Sequence, residues 1–532
     1  MGKKSLSIKD AFILGTQHQQ KGDLKAAKKI YEDILKINPN HAESIFLLGS
    51  LFVQTKNFDK AKPLLQKTIQ IQSDHTAAYN NLGIVSVELG ERKKAISYYE
   101  KAIQLNPNQA ESYNNLGNVF LSLKEYQKAI SYYEKAIKIN PNHANAYNNL
   151  GSVFQALGEY QKAKSCYEKS IKINPNHADT HSNLGSVFKE LRNYQEATSC
   201  FEKAIKLNPN HVEAHNHLGI LFKALGNIQK SISCYEKAIK LNPSFNEAHF
   251  NLGKAFEKLK EYQKAINCYQ KVNYAGSRAA LLECTYLLNG IKDYNKILER
   301  FSDDDPCNIE IAAFASYVAQ KKGTKNIYPF CKNSLDFVLI NNLKNEFTNS
   351  KAFSKNLLQV LEKKEYIWEP LRSNVKGGSR TFGLSLYQKD LEIVEFKKLI
   401  EKQIAIYREK YKHKEDYLIT KWPLKSSITL WHNKLSKQGY LAPHIHASGW
   451  LSGVFYLKVP KLLNKDEGSI KLSLHSHDYP DDKNLPNLIH SPKDFDIILF
   501  PSSIYHQTIP FNSQDERHSL AFDLMPIILN NE

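Results

Sequence analysis

Two stretches near the end of the chain decide the fold of that part: PHIHASGWLSGVFYLKVP at 443–460 and ILFPSSIYHQTIPFNSQDERHSLAF at 498–522. In the first stretch, His444 and His446 stand two residues apart, just before an apolar run rich in branched and aromatic residues at 451–459. Side chains two residues apart on an extended strand point to the same face. We therefore expect the two imidazoles to converge on one point.

The second stretch adds a third histidine and an arginine. A predicted apolar strand at 497–501 leads to His506, and eleven residues later Arg517 stands at the head of another predicted strand, at 519–524. Three groups that hold a metal on one face leave its other positions open, and a guanidinium fork pairs with a carboxylate through two hydrogen bonds. The pattern predicts a metal centre with a carboxylate-binding arginine beside it.

This ordered set of residues resembles the 2-oxoglutarate/iron(II) dioxygenases, and it is closest to their prolyl-hydroxylase-like branch. The pattern of that family is His-x-Asp, then a distal histidine, then an arginine or lysine a short way downstream, and Arg-x-Ser is a recurrent form of its oxoglutarate clamp. The similarity covers residues 426–525. The resemblance implies a double-stranded β-helix, which is a jelly-roll or cupin-like barrel, and the use of Fe(II), 2-oxoglutarate and O2.

The same resemblance implies roles for individual residues. Iron would be held by His444, His446 and His506. Arg517, with help from Ser519, would hold the far carboxylate of 2-oxoglutarate. No catalytic residue is predicted beyond this metal site.

One position departs from the family pattern, because His446 stands where the family has a carboxylate. Three interpretations stay open: His446 is the third ligand, His446 is a spectator beside a water ligand, or a carboxylate such as Asp478 arrives from elsewhere. We favour the three-histidine site. His475 and His477 are interpreted as polar residues of a loop. A barrel of this kind that has lost its metal is the alternative for the whole set.

Length and composition set limits on the rest of the chain. Its 532 residues are too many for one ordinary core, so two or three domains are expected. The net charge is +18, but the lysines recur at fixed places in repeats, which is typical of solvated helix faces and argues against a nucleic-acid partner. No apolar run is long enough to cross a bilayer, and the first residues lack the apolar core of a secretory signal. We expect a cytoplasmic protein without membrane contact.

The first half of the chain is periodic. Glycine recurs every 34 residues, and an alanine or serine follows each glycine twelve residues later. The glycines are Gly15, Gly49, Gly83, Gly117, Gly151, Gly185, Gly219 and Gly253. This period and spacing resemble the tetratricopeptide repeat. The resemblance implies eight helical hairpins over residues 8–272 that stack into a superhelix, in which the small residues let helices approach closely.

These observations divide the chain into three predicted parts. An all-α solenoid of eight 34-residue repeats occupies 1–272, a helical cap and connector occupies 273–325, and a dioxygenase-like barrel with flanking helices occupies 326–532. Within the last part, an amphipathic helix is predicted at 391–410 and a turn at the Gly377-Gly378 pair.

Polar amides stand beside the glycine in the first helix of most repeats. They form a candidate ladder of Asn81, Asn115, Asn149, Asn183 and Asn251. The ladder resembles that of the tetratricopeptide domain in O-GlcNAc transferases, although His217 departs from it. Because an amide offers both a donor and an acceptor, a row of amides can hold an extended peptide backbone without reading its sequence. The alternative is that these amides bond only to neighbouring helices.

The leading hypothesis is therefore an Fe(II)- and 2-oxoglutarate-dependent oxygenase, a hydroxylase that acts on a protein or peptide held by the repeat arm. One alternative is a repeat scaffold for protein–protein interaction with an inactive barrel. Another is a small-molecule hydroxylase whose arm only localises it. Nothing in the residues selects the substrate or the hydroxylated atom.

Overall fold

The computed structural model describes residues 7–272, 275–364, 366–369, 374–381, 384, 390–461, 464, 466–474 and 484–527. The chain forms two compact units. The first unit comprises Met1–Gln155 and Gln161–Thr180, and the second comprises Ala156–Tyr160 and His181–Glu532. No helix in the described ranges is long and apolar enough to cross a membrane.

Eight consecutive helix pairs follow one another at the period that the glycines predict. They are α1 and α2 (Ile8–Gln20, Leu24–Ile37), α3 and α4 (Ala42–Gln54, Phe58–Ile71), α5 and α6 (Thr76–Glu88, Arg92–Leu105), α7 and α8 (Ala110–Ser122, Tyr126–Ile139), α9 and α10 (Ala144–Ala156, Tyr160–Ile173), α11 and α12 (Ala178–Glu190, Tyr194–Leu207), α13 and α14 (Val212–Ala224, Ile228–Leu241), and α15 and α16 (Asn246–Lys258, Tyr262–Tyr269). The predicted tetratricopeptide fold is confirmed.

The recurring glycines are required by the way the two helices of a pair pack. A Cβ atom added to Gly117 would lie 2.6 Å from the ring of Tyr133, and one added to Gly253 would lie 2.4 Å from the ring of Tyr269. Such distances are far inside van der Waals contact, so any larger residue would displace the ring from a close-packed interior. Ala129, twelve residues after Gly117, is fully buried for the same reason.

Three more helices follow the repeats within the second unit. They are α17 (Ala275–Asn289), α18 (Ile291–Asp304) and α19 (Ile309–Lys322). One apolar cluster contains Tyr269 of the last repeat, Phe314 of α19, and Phe330 and Phe455 further along the chain. The last helix pair, these three helices and the sheet domain therefore share a continuous core.

Ten antiparallel strands form two sheets in the described C-terminal ranges. The strands are β1 (Leu339–Asn342), β2 (Ile367–Trp368), β3 (Val375–Arg380), β4 (Ser426–Leu441), β5 (Leu451–Lys458), β6 (Ile470–Ser473), β7 (Asn487–His490), β8 (Asp496–Pro501), β9 (Tyr505–Thr508) and β10 (Arg517–Pro526). The larger sheet has the order β1-β8-β5-β10-β4-β3-β2, and the smaller has the order β7-β6-β9.

Helices flank the two sheets. They are α20 (Ser350–Glu362), α21 (Leu391–Tyr411) and α22 (Tyr417–Thr420). The helix predicted at 391–410 is therefore confirmed as α21. Because β8 is buried along its whole length, its sequence is a continuous apolar run and not an alternating one. Two antiparallel sheets with flanking helices are consistent with the jelly-roll-like barrel that the sequence predicts.

The turn predicted at Gly377-Gly378 is wrong. Both glycines lie inside β3, where the register with β4 shifts at a bulge. Gly377 has a φ of 59°, and a Cβ atom on Gly378 would lie 2.5 Å from the carbonyl oxygen of Lys434. The pair therefore serves a bulge and a close approach between strands, which glycine permits because it has no side chain.

Candidate metal centre

The three predicted histidines lie together in the structure. The potential ligand atoms of His444, His446 and His506 all lie within 4.8 Å of one another. His506 belongs to β9. His444 and His446 lie in the connection between β4 and β5, whereas the sequence predicts that they lie on an extended strand. The backbone holds this connection in place, because the N–H of His444 donates to the carbonyl of His506 at 3.2 Å and the reverse bond measures 2.9 Å.

Each of these imidazoles has its Nδ1 atom beside an oxygen. The distances are 2.8 Å from His444 to the Ala442 carbonyl, 3.2 Å from His506 to the Ile504 carbonyl, and 2.5 Å from His446 to Oδ1 of Asp523. A carbonyl or carboxylate oxygen only accepts, so Nδ1 carries the proton and Nε2 keeps its lone pair. Metal ligation through Nε2 needs this tautomer.

Burial also favours the neutral form of the ring. Burial lowers the pKa of His444 and of His506 well below the ordinary histidine value, and a charged neighbouring histidine would lower each pKa further. Because a metal binds the neutral imidazole, the apolar surroundings keep both rings in the binding form at neutral pH.

A carboxylate that the sequence analysis missed, Asp523 of β10, positions His446. The hydroxyl of Ser452 donates to Oδ1 of Asp523 at 2.7 Å and lies 3.0 Å from Nδ1 of His446. Gly449 leaves room for this group, because a Cβ atom there would lie 3.1 Å from Cγ of Asp523. A carboxylate behind a metal-binding histidine fixes its orientation and raises its basicity.

The contacts of His446 favour its role as the third ligand. Its Nδ1 atom is held by Asp523, so its Nε2 atom is left for a metal. Among the described residues, Asp523 is the carboxylate that contacts this histidine. Asp478, like His475 and His477, lies outside the described residues, so a contribution from that segment stays a prediction.

The inner face of β10 connects the histidines to the predicted cosubstrate residues. Arg517, Ser519 and Ala521 alternate along this strand and line one pocket with the three histidines. Asp523 continues the same alternation, as residues two apart on a strand share a face. This alternation was the signal from which Asp523 could have been found. The small Ala521 leaves space between the histidine end and the arginine end.

Arg517 lies at the other end of the pocket without a carboxylate partner among the described residues. It is 2% exposed, and its Nη1 atom donates to the Gly468 carbonyl at 2.6 Å. The guanidinium lies 4.8 Å from the ring centre of Tyr456. The Nε atom of Arg517 and the Tyr456 hydroxyl have no hydrogen-bond partner in the described part of the chain. Burying a polar atom without a hydrogen-bond partner costs free energy. A ligand with acceptor oxygens between these two groups would provide the missing hydrogen bonds.

Two further donors around this pocket are unpartnered. The Nε1 atom of Trp431 and the Nδ2 atom of Asn433 have no hydrogen-bond partner among the described residues. Together with the Arg517 and Tyr456 groups, they surround one pocket with unused hydrogen bonds. A ligand rich in acceptor oxygens would satisfy them.

The candidate asparagine ladder joins neighbouring repeats by hydrogen bonds. Nδ2 donates from Asn81 to Ser50 at 2.8 Å, from Asn115 to Asn80 at 3.3 Å, from Asn149 to Asn114 at 3.0 Å, and from Asn251 to Asn216 at 3.0 Å. Asn183 lies half-buried in α11. These bonds are the structural role that the sequence left open. A peptide-binding role for the ladder stays a prediction.

Comparison with known families gives three matches. The family described as "Putative 2OG-Fe(II) oxygenase" matches residues 429–523, a range that contains the three histidines, Arg517, Ser519 and Asp523. The tetratricopeptide repeat family matches residues 18–83, and the family described as "Cilia and flagella-associated protein 70 C-terminal domain" matches residues 73–282. No curated protein matches the chain.

Solved structures resemble the chain over about a third of its length. MamA is 30% identical over 31% of this chain and 96% of its own, with a TM-score of 0.28. YrrB, a TPR protein with an unusual peptide-binding site, is 23% identical over 35% of this chain and 95% of its own, with a TM-score of 0.29. PilF of Pseudomonas aeruginosa is 21% identical over 39% and 97%, with a TM-score of 0.35.

Tetratricopeptide repeats typically mediate the binding of proteins or peptides. The eight helix pairs and the repeat match show that this chain contains tetratricopeptide repeats, and the match at 429–523 shows a C-terminal domain of the kind described as a putative 2OG-Fe(II) oxygenase.

Proposed function

We propose that the C-terminal domain is a hydroxylase that uses Fe(II), 2-oxoglutarate and O2. The observation that carries this proposal is the convergence of three imidazoles, one buried and two half-buried, whose Nδ1 atoms bond to oxygens. Nε2 is left for a metal on His446 and His506, and on His444 it contacts the amide nitrogen of Asn374. The family match at 429–523 supports the same class. Imidazole ligands suit iron, and three of them leave half of an octahedral metal open to a chelating keto acid and O2.

His444, His446 and His506 would hold the iron. When bound, the iron supplies the oxidation in which 2-oxoglutarate and O2 become succinate and carbon dioxide while one oxygen atom enters a substrate C–H bond. The surrounding side chains exclude water from this chemistry. The Trp431 ring lies 5.2 Å from the His446 ring, and the Phe500 ring lies 4.8 Å from the His506 ring.

Arg517 and Tyr456 would hold the distal carboxylate of 2-oxoglutarate. The guanidinium and the phenol each have an unpartnered donor there, and both are buried. Ser519 lies on the neighbouring strand directly opposite Tyr456 and adds a hydroxyl to the same place. Because these groups are fixed before the ligand arrives, little ordering is lost when it binds.

Anaerobic titration of the purified chain with Fe(II) and 2-oxoglutarate tests this proposal. The chelate of the keto acid with Fe(II) gives a weak visible charge-transfer band. We expect a band in the wild type, and in Arg517→Gln we expect a dissociation constant for 2-oxoglutarate that is higher by about 30-fold or more, the cost of removing one partner of a buried charge pair. A folded chain that retains no iron and gives no band would overturn the proposal and favour the scaffold.

The proposal extends to the repeat arm, which would hold a protein or peptide substrate for a cytoplasmic enzyme. Each ladder amide has two N–H bonds, so Asn81 and Asn115 each keep one after their bond to the preceding repeat. The double variant Asn81→Ala/Asn115→Ala should weaken the binding of an unstructured polypeptide and leave the charge-transfer band unchanged. Unchanged polypeptide binding by a folded double variant would confine these amides to the structural role.

A further inference from the structure

A second arginine lies in the wall of the same pocket, next to the metal-binding end. Arg380 closes β3, and its Nε atom donates to Oδ1 of Asn433 at 2.6 Å while its Nη2 atom donates to Oδ1 of Asn374 at 3.0 Å. Its guanidinium lies 5.7 Å from the ring centre of Trp431. The side chain lines the cavity together with the three histidines. Two amides and an indole therefore hold this cation in one position.

None of these partners neutralises the charge of Arg380. Both amide oxygens are neutral acceptors, and no carboxylate of the described residues forms an ion pair with this guanidinium. Burial lowers its pKa to about 10, and the negative charge of Asp523 opposes that shift. The group is therefore cationic at neutral pH. A buried cation that forms no ion pair is costly, which points to an anion that arrives with a ligand.

Arg380 stands on a different strand from the residues that would hold the distal carboxylate of 2-oxoglutarate. The strand register places Arg380 opposite Asn433, Asn433 opposite Ser519, and Ser519 opposite Tyr456. Neighbouring strands lie about 4.8 Å apart, so the backbones of Arg380 and Tyr456 are separated by roughly 14 Å. In the larger sheet, β10 and β4 lie between the strand of Tyr456 and the strand of Arg380.

The balance of charge leads to the same conclusion. The pocket brings together two guanidinium groups and, on the proposed function, a divalent iron; among the described residues, Asp523 is the carboxylate next to them. A bound 2-oxoglutarate dianion would leave one positive charge unbalanced. A substrate that carries one carboxylate would complete the balance.

We propose that Arg380 binds a carboxylate of the substrate and so selects acidic substrates. This inference rests on the proposed oxygenase function. Arg380 sits over Trp431, whose ring contacts His446, so a carboxylate bound there would place its neighbouring carbons at the metal-binding end of the pocket. The carboxylate belongs either to an aspartate or glutamate side chain or to the free end of a peptide.

Three pools of short capped peptides distinguish these two sources. The first has a fixed central glutamate, the second a fixed central glutamine, and the third a central glutamine with a free C-terminal carboxylate; all other positions are randomised among residues whose side chains carry no carboxylate. Each pool is offered to the chain loaded with Fe(II) and 2-oxoglutarate without oxygen, and the retained peptides are counted by mass spectrometry. Oxygen is then admitted, and succinate and the gain of one oxygen atom by the peptides are measured.

We expect the wild type to retain the glutamate pool or the free-carboxylate pool about tenfold better than the capped glutamine pool, the factor that one charge-assisted hydrogen-bond pair supplies. Arg380→Gln should abolish this preference, and Arg380→Lys should keep part of it. Arg408→Gln is the matched control, because Arg408 lies 5.7 Å from the ring of Trp422 on the exposed side of α21. Like Arg380→Gln, this substitution removes one positive charge and one contact between a guanidinium and an indole ring, but it does so away from the pocket.

Four results would overturn the inference while the charge-transfer band shows that the site itself works. The first two are equal retention of all pools and no retention of any pool. The third is an Arg380→Gln variant whose binding of 2-oxoglutarate is weakened as much as that of Arg517→Gln. The fourth is a folded Arg380→Gln variant that loses iron. The third result would assign Arg380 to the cosubstrate. The fourth would limit Arg380 to holding Asn374 beside His444. Absence of the band in the wild type would instead remove the proposed function.

Discussion

The barrel contains two groups of buried histidines on opposite faces of one sheet, and they differ in what their nitrogens do. On the outer face, Nδ1 of His432 lies 2.8 Å from the Tyr366 hydroxyl and its Nε2 lies 3.2 Å from Nδ1 of His518, whose Nε2 lies 3.7 Å from Glu516. On the inner face, the three histidines of the candidate metal centre bond to oxygens through Nδ1, and their ring nitrogens converge on one point.

This difference separates a structural polar network from a candidate binding site. Burial lowers the pKa values of His432 and His518 just as it lowers those of His444 and His506. Burial and a shifted pKa therefore do not identify a metal centre. What marks the candidate metal centre is the convergence of three possible ligand atoms on one point, together with unpartnered donors on the neighbouring side chains.

The largest effect is expected from substituting one histidine of each group. His506→Ala should abolish the Fe(II)·2-oxoglutarate charge-transfer band, because two remaining ligands cannot hold the metal at the concentrations of the titration. His518→Gln should keep the band and lower the melting temperature, since it breaks a buried hydrogen-bond chain. If both variants lost the band while folded, the two groups would not differ as described.

A smaller effect is expected at the carboxylate behind His446. Asp523→Asn keeps the size of the side chain and removes its negative charge, so iron affinity should fall by about 10- to 100-fold, as is typical for partners of metal-binding histidines. Isothermal titration with Fe(II) under argon measures the change. Unchanged affinity would mean that His446 is a spectator, as one of the sequence interpretations holds.

The next effect concerns the unpartnered phenol. Tyr456→Phe removes only the hydroxyl, so the dissociation constant for 2-oxoglutarate should rise by about three- to tenfold, the value of one typical hydrogen bond. The mirror substitution on the outer face, Tyr366→Phe, should leave that constant unchanged, because Tyr366 bonds to His432. An equal response to both substitutions would contradict the assignment of Tyr456 to the cosubstrate.

The smallest effect is a dependence of stability on pH. Burial lowers the pKa of His518 to about 4, with Glu516 opposing and Lys434 and Lys458 adding to the shift. The unfolded chain protonates this ring near the ordinary value of about 6.5, so below that pH the unfolded state binds more protons and the free energy of unfolding falls by about 1.4 kcal/mol per pH unit.

Urea unfolding followed as pH is lowered from about 7 toward 5 measures this slope. His518→Gln should show a shallower slope than the wild type, even though its stability at neutral pH is lower. Equal slopes in the two proteins would show that other groups dominate acid sensitivity.

How much the sequence predicts differs between the repeats and the barrel. The repeats are predicted almost completely, because the same close packing recurs in every unit: seven of the eight recurring glycines lie under an aromatic ring, and Gly49 lies under Leu65. The barrel has no such repetition. There, the order of His444, His506 and Arg517 predicts the site, because each residue stands beside a recognisable apolar strand.

The sequence does not predict Asp523 and Arg380 as pocket residues, and the reason is the same for both. Asp523 and Arg380 reach the pocket through strand register, which the sequence does not show until the strands and their partners are known. Arg380 was hidden further by the Gly377-Gly378 pair, which is equally compatible with a turn and with a bulge. Glycine permits both because it lacks a side chain.

The apolar core that runs from the last repeat into the sheets determines where the chain can be cut or fused to another protein. Phe314 of α19, Phe330 and Phe337 belong to one cluster, and all three are nearly inaccessible to water. A fragment that begins at residue 326 would expose the inner side of this cluster to water. It should therefore aggregate, whether or not its histidines bind a metal. The barrel together with α17, α18 and α19 is therefore the unit that can be fused to another protein. A fusion of the oxygenase domain to a different arm has to include those three helices.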